Sequence, residues 1–266
     1  MTMPRTLTLV RHGESESNAA KRAAERGKPF AAEAKLMGVH TSERRLTPKG
    51  VEQAQQAGAW LRENWLQFPY EKRCYVSPYV RAAETAGFTG LNQEWRVDNR
   101  LCERNWGSLD QMTHEERMRV FKEQLARRKK HAFFWRPADG ETLQDVFNRI
   151  RDLIGTLHRE CERMHVLAVC HGETMLAWRT VLEYWLPQDL RNDMSSKDKR
   201  FDILNCRIIQ YSRQDENNEL HLHEKFVRVR FVDPTDPENP TTNHDWMPVK
   251  RRLWSEADLQ TFLEAS

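Results

Sequence analysis

The chain has 266 residues, 39% apolar and 30% charged, with a formal net charge of +3. That length and apolar share suffice for one sizeable core with decoration, and the near-balanced charge excludes the concentrated basic face of a dedicated nucleic-acid protein. No window approaches the ~18 apolar residues of a membrane span, Met1 to Arg5 carries no apolar leader, and Cys74, Cys102, Cys161, Cys170 and Cys206 lack metal-ligand spacing, so a cytoplasmic protein with reduced thiols is expected.

Leu7-Thr8-Leu9-Val10 reads as a short buried strand that runs straight into Arg11-His12-Gly13-Glu14-Ser15-Glu16-Ser17-Asn18. Ligands collect at the carboxyl ends of strands in an open α/β sheet, so Arg11, His12 and Asn18 are expected in a crevice. Arg11 offers a planar fork for phosphate or carboxylate oxygens, the following helix N-terminus offers free N–H groups, and Gly13 lets backbone approach an anion. Ser15 reads equally as part of that pocket or as a helix cap. The charged stretch Lys21 to Arg45 is expected to hang over the pocket mouth, where it is a specificity candidate. Thr47-Pro48 then starts a helix with Val51, Ala54, Leu61 and Trp65 on its apolar side.

A second strand, Arg73-Cys74-Tyr75-Val76, leads into Ser77-Pro78, where Ser77 is expected to cap a helix and Arg81, about one turn on, supplies a second guanidinium. Thr113-His114-Glu115-Glu116 is a capping box opening a helix with Val120, Phe121 and Leu125. The run Arg127-Arg128-Lys129-Lys130 reads as a solvated helix end favoured by the C-terminal dipole, or as a substrate-anion contact. Glu141 to about Met164 is the strongest helix, with Leu143, Val146, Phe147, Ile150, Leu153, Ile154, Leu157 and Cys161 at helical spacing. It leads into a third strand, His165 to Cys170, that ends on His171-Gly172-Glu173-Thr174; Cys170 itself reads as a buried small hydrophobe. Leu220 to Val232 alternates like a strand and is expected to pair with Ile203 to Tyr211. Prolines punctuate the tail beyond, where only Ser255 to Leu263 looks helical; a wrapped extension, a lid and an oligomer contact are its three readings.

Arg11-His12-Gly13-Glu14-Ser15, Ser77-Pro78 with Arg81, and His171-Gly172 resemble the motif set of the histidine phosphatase superfamily. Leu46 to Ala54 and Leu101 to Gly107 resemble two further blocks of its phosphoglycerate mutase-like branch (branch 1), and the five blocks stand in the family's order over roughly Thr6 to Tyr211. One such block would be a weak signal; the ordered set is a specific one. The resemblance implies an α/β fold, a three-layer α/β/α sandwich on a mainly parallel sheet, over residues 1–232 with an insertion at 19–45, followed by an extension at 233–266.

The chemistry so implied is phosphoryl transfer through a phosphohistidine. His12 would attack, Arg11 and Arg81 would neutralise the phosphoryl oxygens, His171 and Asn18 would donate to them, and Ser15, Gly13 and Gly172 would line the pocket. Neighbouring positive charge should lower the pKa of His12 and keep its lone pair available. The resemblance gives Glu103 as the acid that protonates the leaving alkoxide and later as the base. No metal and no cofactor are called for, because arginine and histidine supply the positive charge that Mg²⁺ supplies elsewhere. The expected partner is a small phosphorylated substrate, with neither nucleic acid nor membrane, and with a homo-oligomer through the tail left open. Mutases of the family carry a lysine soon after the acid, which Trp106 to His114 lacks, while Phe133 to Thr142 resembles the wider phosphatase group. A phosphatase is therefore favoured over a mutase-type phosphotransferase and over a non-catalytic phosphate-binding scaffold.

Overall fold

In the computed structural model, which describes residues 2–28, 36, 38–190, 202–214, 221–239, 243, 245–251 and 253–264, four short strands come first: β1 (Thr6–Arg11), β2 (Lys72–Val76), β3 (Trp95–Val97) and β4 (His165–Cys170). They are mutually parallel, with Leu9 opposite Ala168, Cys74 opposite Leu167 and Tyr75 opposite Arg96. Three antiparallel strands extend the sheet, β5 (Ile208–Ser212), β6 (Arg228–Val232) and β7 (Met247–Pro248), in the order β3-β2-β4-β1-β5-β6-β7. Between and after them run α1 (Glu16–Glu25), α2 (Pro48–Leu61), α3 (Val80–Phe88), α4 (His114–Val120), α5 (Lys122–Lys130), α6 (Leu143–Glu160), α7 (Gly172–Leu182) and α8 (Glu256–Glu264).

Side chains alternate across a strand, and β4 shows why both faces are covered. Val166, Ala168 and Cys170 pack with Val146, Ile150, Leu153 and Leu157 of α6 and with Met175 and Trp178 of α7. Leu167 and Val169 turn the other way, onto Leu61 of α2 and Ala82 and Ala86 of α3. Burial on both faces is the reason these strands read as continuous apolar runs, and the result is the expected three layers.

Local chemistry sets most element boundaries. The Thr47 hydroxyl accepts the Gly50 N–H at 3.1 Å and Pro48 fills the first turn of α2, whose path continues as a π-helical turn over Arg62–Leu66. Thr142 and Asp145 form a capping box at the head of α6. That helix stops at Glu160, short of the expected Met164, because Arg163 adopts a left-handed φ of 62° that turns the chain into β4. The helix expected from Thr113 through Leu125 is two helices, broken at Phe121, whose φ of −117° and ψ of 21° interrupt the ladder. Ser77 does not cap α3: Tyr79 holds that position, and the Ser77 hydroxyl is used elsewhere.

The antiparallel half differs from the sequence reading in extent. The strand expected from Ile203 begins at Ile208, because Cys206 takes a φ of 56° while its N–H bonds back to Arg11 O at 3.1 Å. Of Leu220 to Val232, Arg228–Val232 forms a strand on β5, and residues 215–220 lie outside the described residues. The tail adds β7 to the sheet edge, with Trp246 stacked under Arg228 at 4.8 Å and Arg230 at 4.7 Å. Arg251 Nε donates to Leu182 O at 2.7 Å, tying the tail to the end of α7, and the helix expected at Ser255 to Leu263 is α8, capped by Ser255. Among the described residues no helix is long and apolar enough to cross a membrane.

Candidate active site

The carboxyl ends of β1 and β4 lie side by side, so the chain leaves both strands into one place. His12 N–H donates to Cys170 O at 3.0 Å, extending the ladder by one residue, and His171 is the N-cap residue of α7. The two imidazoles face each other with ring centroids 5.0 Å apart. His12 Nδ1 lies 2.7 Å from Gly13 O, and since a carbonyl only accepts, Nδ1 carries the proton and Nε2 presents the lone pair. Arg81 Nε donates to that Nε2 at 3.2 Å. His171 Nε2 is 2.8 Å from Ser77 Oγ, and its buried Nδ1 has no partner among the described residues.

Two guanidiniums flank the pair. Arg11 Nη1 is held by Ile203 O at 2.6 Å, while its buried Nε has no partner among the described residues. Arg81, 4% exposed, also donates from Nη1 to Thr41 O at 2.5 Å. Burial pushes both imidazoles well below the usual histidine range; Arg81 and then Arg11 push His12 further the same way, and for His171 the charge of Arg81 again comes next after burial. The direction matches the sequence reading, but desolvation outranks the arginines as its cause. Both rings are neutral at neutral pH, as a nucleophile and a hydrogen-bonding partner require.

Glu103 approaches from the loop after β3. Its Oε1 accepts from Arg104 N–H at 3.0 Å and sits 3.4 Å from Thr174 Oγ1. Oε2 faces the pocket: a Cβ placed on Gly172 would lie 3.6 Å from Arg11 Nε and 4.0 Å from Glu103 Oε2. Gly172 thus keeps open the space between the anion-binding arginine and the carboxyl. Asn18 and Ser15 form a capping box at the head of α1, and Asn205 Nδ2 bridges His12 O and Asn18 Oδ1, both at 3.0 Å. With its oxygen so occupied, Asn18 has its amide N–H groups left for a ligand oxygen. Gly13 serves a different need from the one read in the sequence, since a Cβ there would strike Gly50 O at the start of α2.

Both histidines are buried. His12 is 2% exposed and His171 not at all, with the Tyr79 ring 5.1 Å from that of His171; in the described part of the 19–45 insertion Thr41 and Arg44 are also buried, and the Thr41 carbonyl holds Arg81. Arg44 Nη1 donates to Ser17 Oγ at 3.1 Å and Nη2 to Asp110 O at 2.7 Å, and Val80 N–H reaches Ser42 O at 2.8 Å. A cleft of about 560 Å³ opens between His40 and the segment that follows Glu103, lined there by Asn105, Gly107, Ser108 and Asp110 and closed by Glu116 and Asp139. Among the described residues, no three His, Cys, Asp or Glu side chains gather into a group that could hold a metal ion.

The family model of the histidine phosphatase superfamily (branch 1) matches residues 7–225. The chain belongs to that superfamily. It is 28% identical to chicken (Gallus gallus) 6-phosphofructo-2-kinase/fructose-2,6-bisphosphatase over 184 residues, which is 69% of this chain and 33% of that protein. It is also 29% identical to the 2,3-bisphosphoglycerate-dependent phosphoglycerate mutase of Azorhizobium caulinodans over 202 residues, 71% of this chain and 86% of that one. The chain spans from a third to less than half the length of the bifunctional relatives it matches. Among solved structures, mycobacterial glucosyl-3-phosphoglycerate phosphatase shares the fold with a TM-score of 0.59 at 22% identity, covering 84% of this chain and 98% of that one.

Within this histidine phosphatase fold, Arg11, His12, Arg81, Glu103, His171 and Gly172 converge as the motifs imply. Ser77, Thr41 and Asn205 belong to the same site and were not assigned to it by sequence. Ser77 carried the motif signal but read as a cap; Thr41 acts through its carbonyl, which no side-chain pattern marks, and Asn205 acts through a side-chain amide that stands outside any of the motif blocks. Arg128 is neither a plain solvated helix end nor a free anion contact: it stacks over Trp106 at 4.5 Å and lies 3.6 Å from Glu173, while Arg127 is exposed and the side chains of Lys129 and Lys130 lie outside the description. Cys170 is fully buried, and burial pushes its thiol far up, in keeping with a packing role.

Proposed function

We propose that the chain hydrolyses small phosphomonoesters through a phosphohistidine at His12. The observation that carries this is a neutral imidazole, fixed through Nδ1 on Gly13 O, presenting Nε2 beside the buried Arg81 and the half-buried Arg11, with a carboxyl across the space that Gly172 keeps clear. Nε2 attacks phosphorus as the ester P–O bond breaks, and protonated Glu103 gives its proton to the departing oxygen. Water then attacks phosphorus and loses a proton to Glu103, the P–N bond breaks, and phosphate leaves with both groups restored. Arg11, Arg81 and Asn18 hold the non-bridging oxygens, whose charge they offset in a site shielded from water.

We assign the leaving group to the cleft beside the segment that follows Glu103, and its described lining supports hydrolysis over mutase transfer, since it carries Asp110, Glu116 and Asp139 and neither arginine nor lysine. Such a wall suits a polar leaving group without a second anion. All five cysteines are free, in keeping with a cytoplasmic setting. Rapid quench with a labelled phosphomonoester, with chelator present, should trap an acid-labile phosphoenzyme that His12→Ala abolishes. Primer-dependent isomerisation of phosphoglycerate without phosphate release would overturn the hydrolase reading in favour of the mutase.

A further inference from the structure

Ser77 follows β2 directly, with its N–H on Val169 O at 3.1 Å and its side chain fully buried. Among the described residues three groups meet its Oγ: the Tyr79 N–H at 3.3 Å, His171 Nε2 at 2.8 Å and the Cys102 thiol. Cys102 closes the short turn Asn99–Leu101 before the acid, with its N–H on Asn99 O at 3.1 Å and its carbonyl accepting the Thr174 hydroxyl at 2.8 Å. One hydroxyl thus joins the end of β2, the loop that carries Glu103 and the head of α7.

A hydroxyl has one proton to give and two lone pairs to fill. The Tyr79 N–H can only donate, so it takes one lone pair, and the Ser77 proton goes either to the imidazole nitrogen or to sulfur. A bare imidazole nitrogen is the stronger acceptor, whereas a protonated thiol is a weak donor suited to the second lone pair. Burial pushes the Cys102 thiol up against the pull of Arg149, so its proton stays on sulfur at neutral pH. Burial and then Arg81 keep His171 neutral, so one of its two nitrogens carries a proton and the other does not. The arrangement that satisfies every member runs from the Cys102 thiol to the Ser77 hydroxyl to His171 Nε2, and it puts the ring proton on Nδ1. That nitrogen is the polar ring atom left for a ligand, buried with no partner among the described residues and on a ring 5.0 Å from that of His12.

We propose that Ser77, with Cys102 filling its second lone pair, is a positioning residue that fixes His171 in the Nδ1–H tautomer, so that this N–H donates to a phosphoryl oxygen held beside His12. The inference rests on the phosphomonoesterase reading above. In a neutral imidazole the bond made by one nitrogen sets the protonation of the other. A proton on Nε2 instead would leave a bare lone pair at Nδ1, which repels the oxygens of an anion, so the two tautomers act on a phosphoryl group with opposite sign. The Tyr79 ring packs edge-on to the His171 ring at 5.1 Å, which holds the plane of the imidazole. No bond forms or breaks at Ser77 or Cys102, and each keeps its own proton through the reaction.

Nitrogen NMR of protein carrying ¹⁵N-labelled histidine reads the tautomer directly, because protonated and bare ring nitrogens resonate far apart; the His171 signals are assigned by their loss in His171→Gln. Wild type should show the His171 proton on Nδ1. Ser77→Ala should move it wholly or partly to Nε2 and slow single-turnover phosphoenzyme formation about ten-fold, while Ser77→Thr, which keeps a hydroxyl, should retain the Nδ1–H signature. A wild-type His171 protonated on Nε2 would overturn the proposal. So would a slowed Ser77→Ala whose Nδ1–H signature is unchanged, the outcome that a merely structural role predicts. Should Ser77→Ala fail to fold, the wild-type and Ser77→Thr spectra decide. Wild-type protein that shows Nδ1–H on His171 but forms no phosphoenzyme would instead defeat the hydrolase reading, while the tautomer assignment stood.

Discussion

Replacing Arg81 by methionine removes one positive charge from the most crowded part of the site while keeping much of the apolar stem. Arg81 Nε donates to His12 Nε2 at 3.2 Å, and among charged groups it contributes most to keeping both imidazoles neutral. Unit charges at that separation interact by about 5 kcal/mol at an effective dielectric of ~20. Delocalisation over the guanidinium and water entering the vacated space reduce this to about 1–3 kcal/mol, which is about 1–2 pH units. The sign is fixed: loss of a cation raises the folded-state pKa of His12, so the nucleophile becomes protonated at a higher pH and the acid limb of phosphoenzyme formation moves upward. The same change removes a charged donor to the phosphoryl group, at a cost of about 10²- to 10³-fold in rate. Single-turnover formation of phosphoenzyme from a labelled ester, followed between about pH 4 and pH 8, separates the two effects. A rate loss with an unmoved acid limb would refute the argument that this guanidinium sets the protonation state of His12.

Other consequences are open to direct measurement. His165 is buried against Phe68 and Tyr70, with its ring bonded to Thr6 at 2.6 Å, and burial pushes it from 6.5 to about 4. Because the unfolded chain binds that proton first, stability is present above pH 6.5 and is lost as pH falls toward 4. His165→Asn should remove about 2 kcal/mol of the stability difference between about pH 8 and pH 5 in urea unfolding, and an unchanged difference would contradict the assignment. Gly13→Ala drives a methyl group into Gly50 O, and a loss of about 2–3 kcal/mol, roughly 5–10 °C in Tm, is expected by calorimetry. Arg44→Ala cuts the ties to Ser17 and Asp110 of the segment whose Thr41 carbonyl holds Arg81, so carbethoxylation mapped to His12 by mass spectrometry should quicken several-fold; an unchanged rate would mean that this segment does not limit access.

Recognition of the site from sequence succeeded where the backbone pattern and the chemistry coincide. β1 and β4 are buried on both faces, so Leu7 to Val10 and Val166 to Cys170 are continuous apolar runs whose ends mark where polar groups emerge. The capping box at Thr113 is local, complete within four residues, and was legible for that reason, whereas the equally local box at Thr142 was passed over when the helix was begun at Glu141. Ser77 was misread because Ser-Pro before a helix is a capping signal, and only the proximity of His171, 94 residues on, redirects its hydroxyl. The strand expected from Ile203 was overextended because the left-handed turn at Cys206 answers to the end of β1, nearly 200 positions earlier.

The order of residues by itself determined the family, the parallel α/β core, and the identity of the two histidines, two arginines and one carboxyl that meet. Those depend on short-range patterns: apolar runs, helical spacing and side-chain types at strand ends. Only the tertiary structure decided that the Thr41 carbonyl holds Arg81, that burial outranks charge in keeping His12 and His171 neutral, and that Glu173 stands near both Arg104 and Arg128. Burial and through-space charge are properties of what surrounds a group in three dimensions, and those surroundings are assembled from segments that no local stretch of sequence brings together.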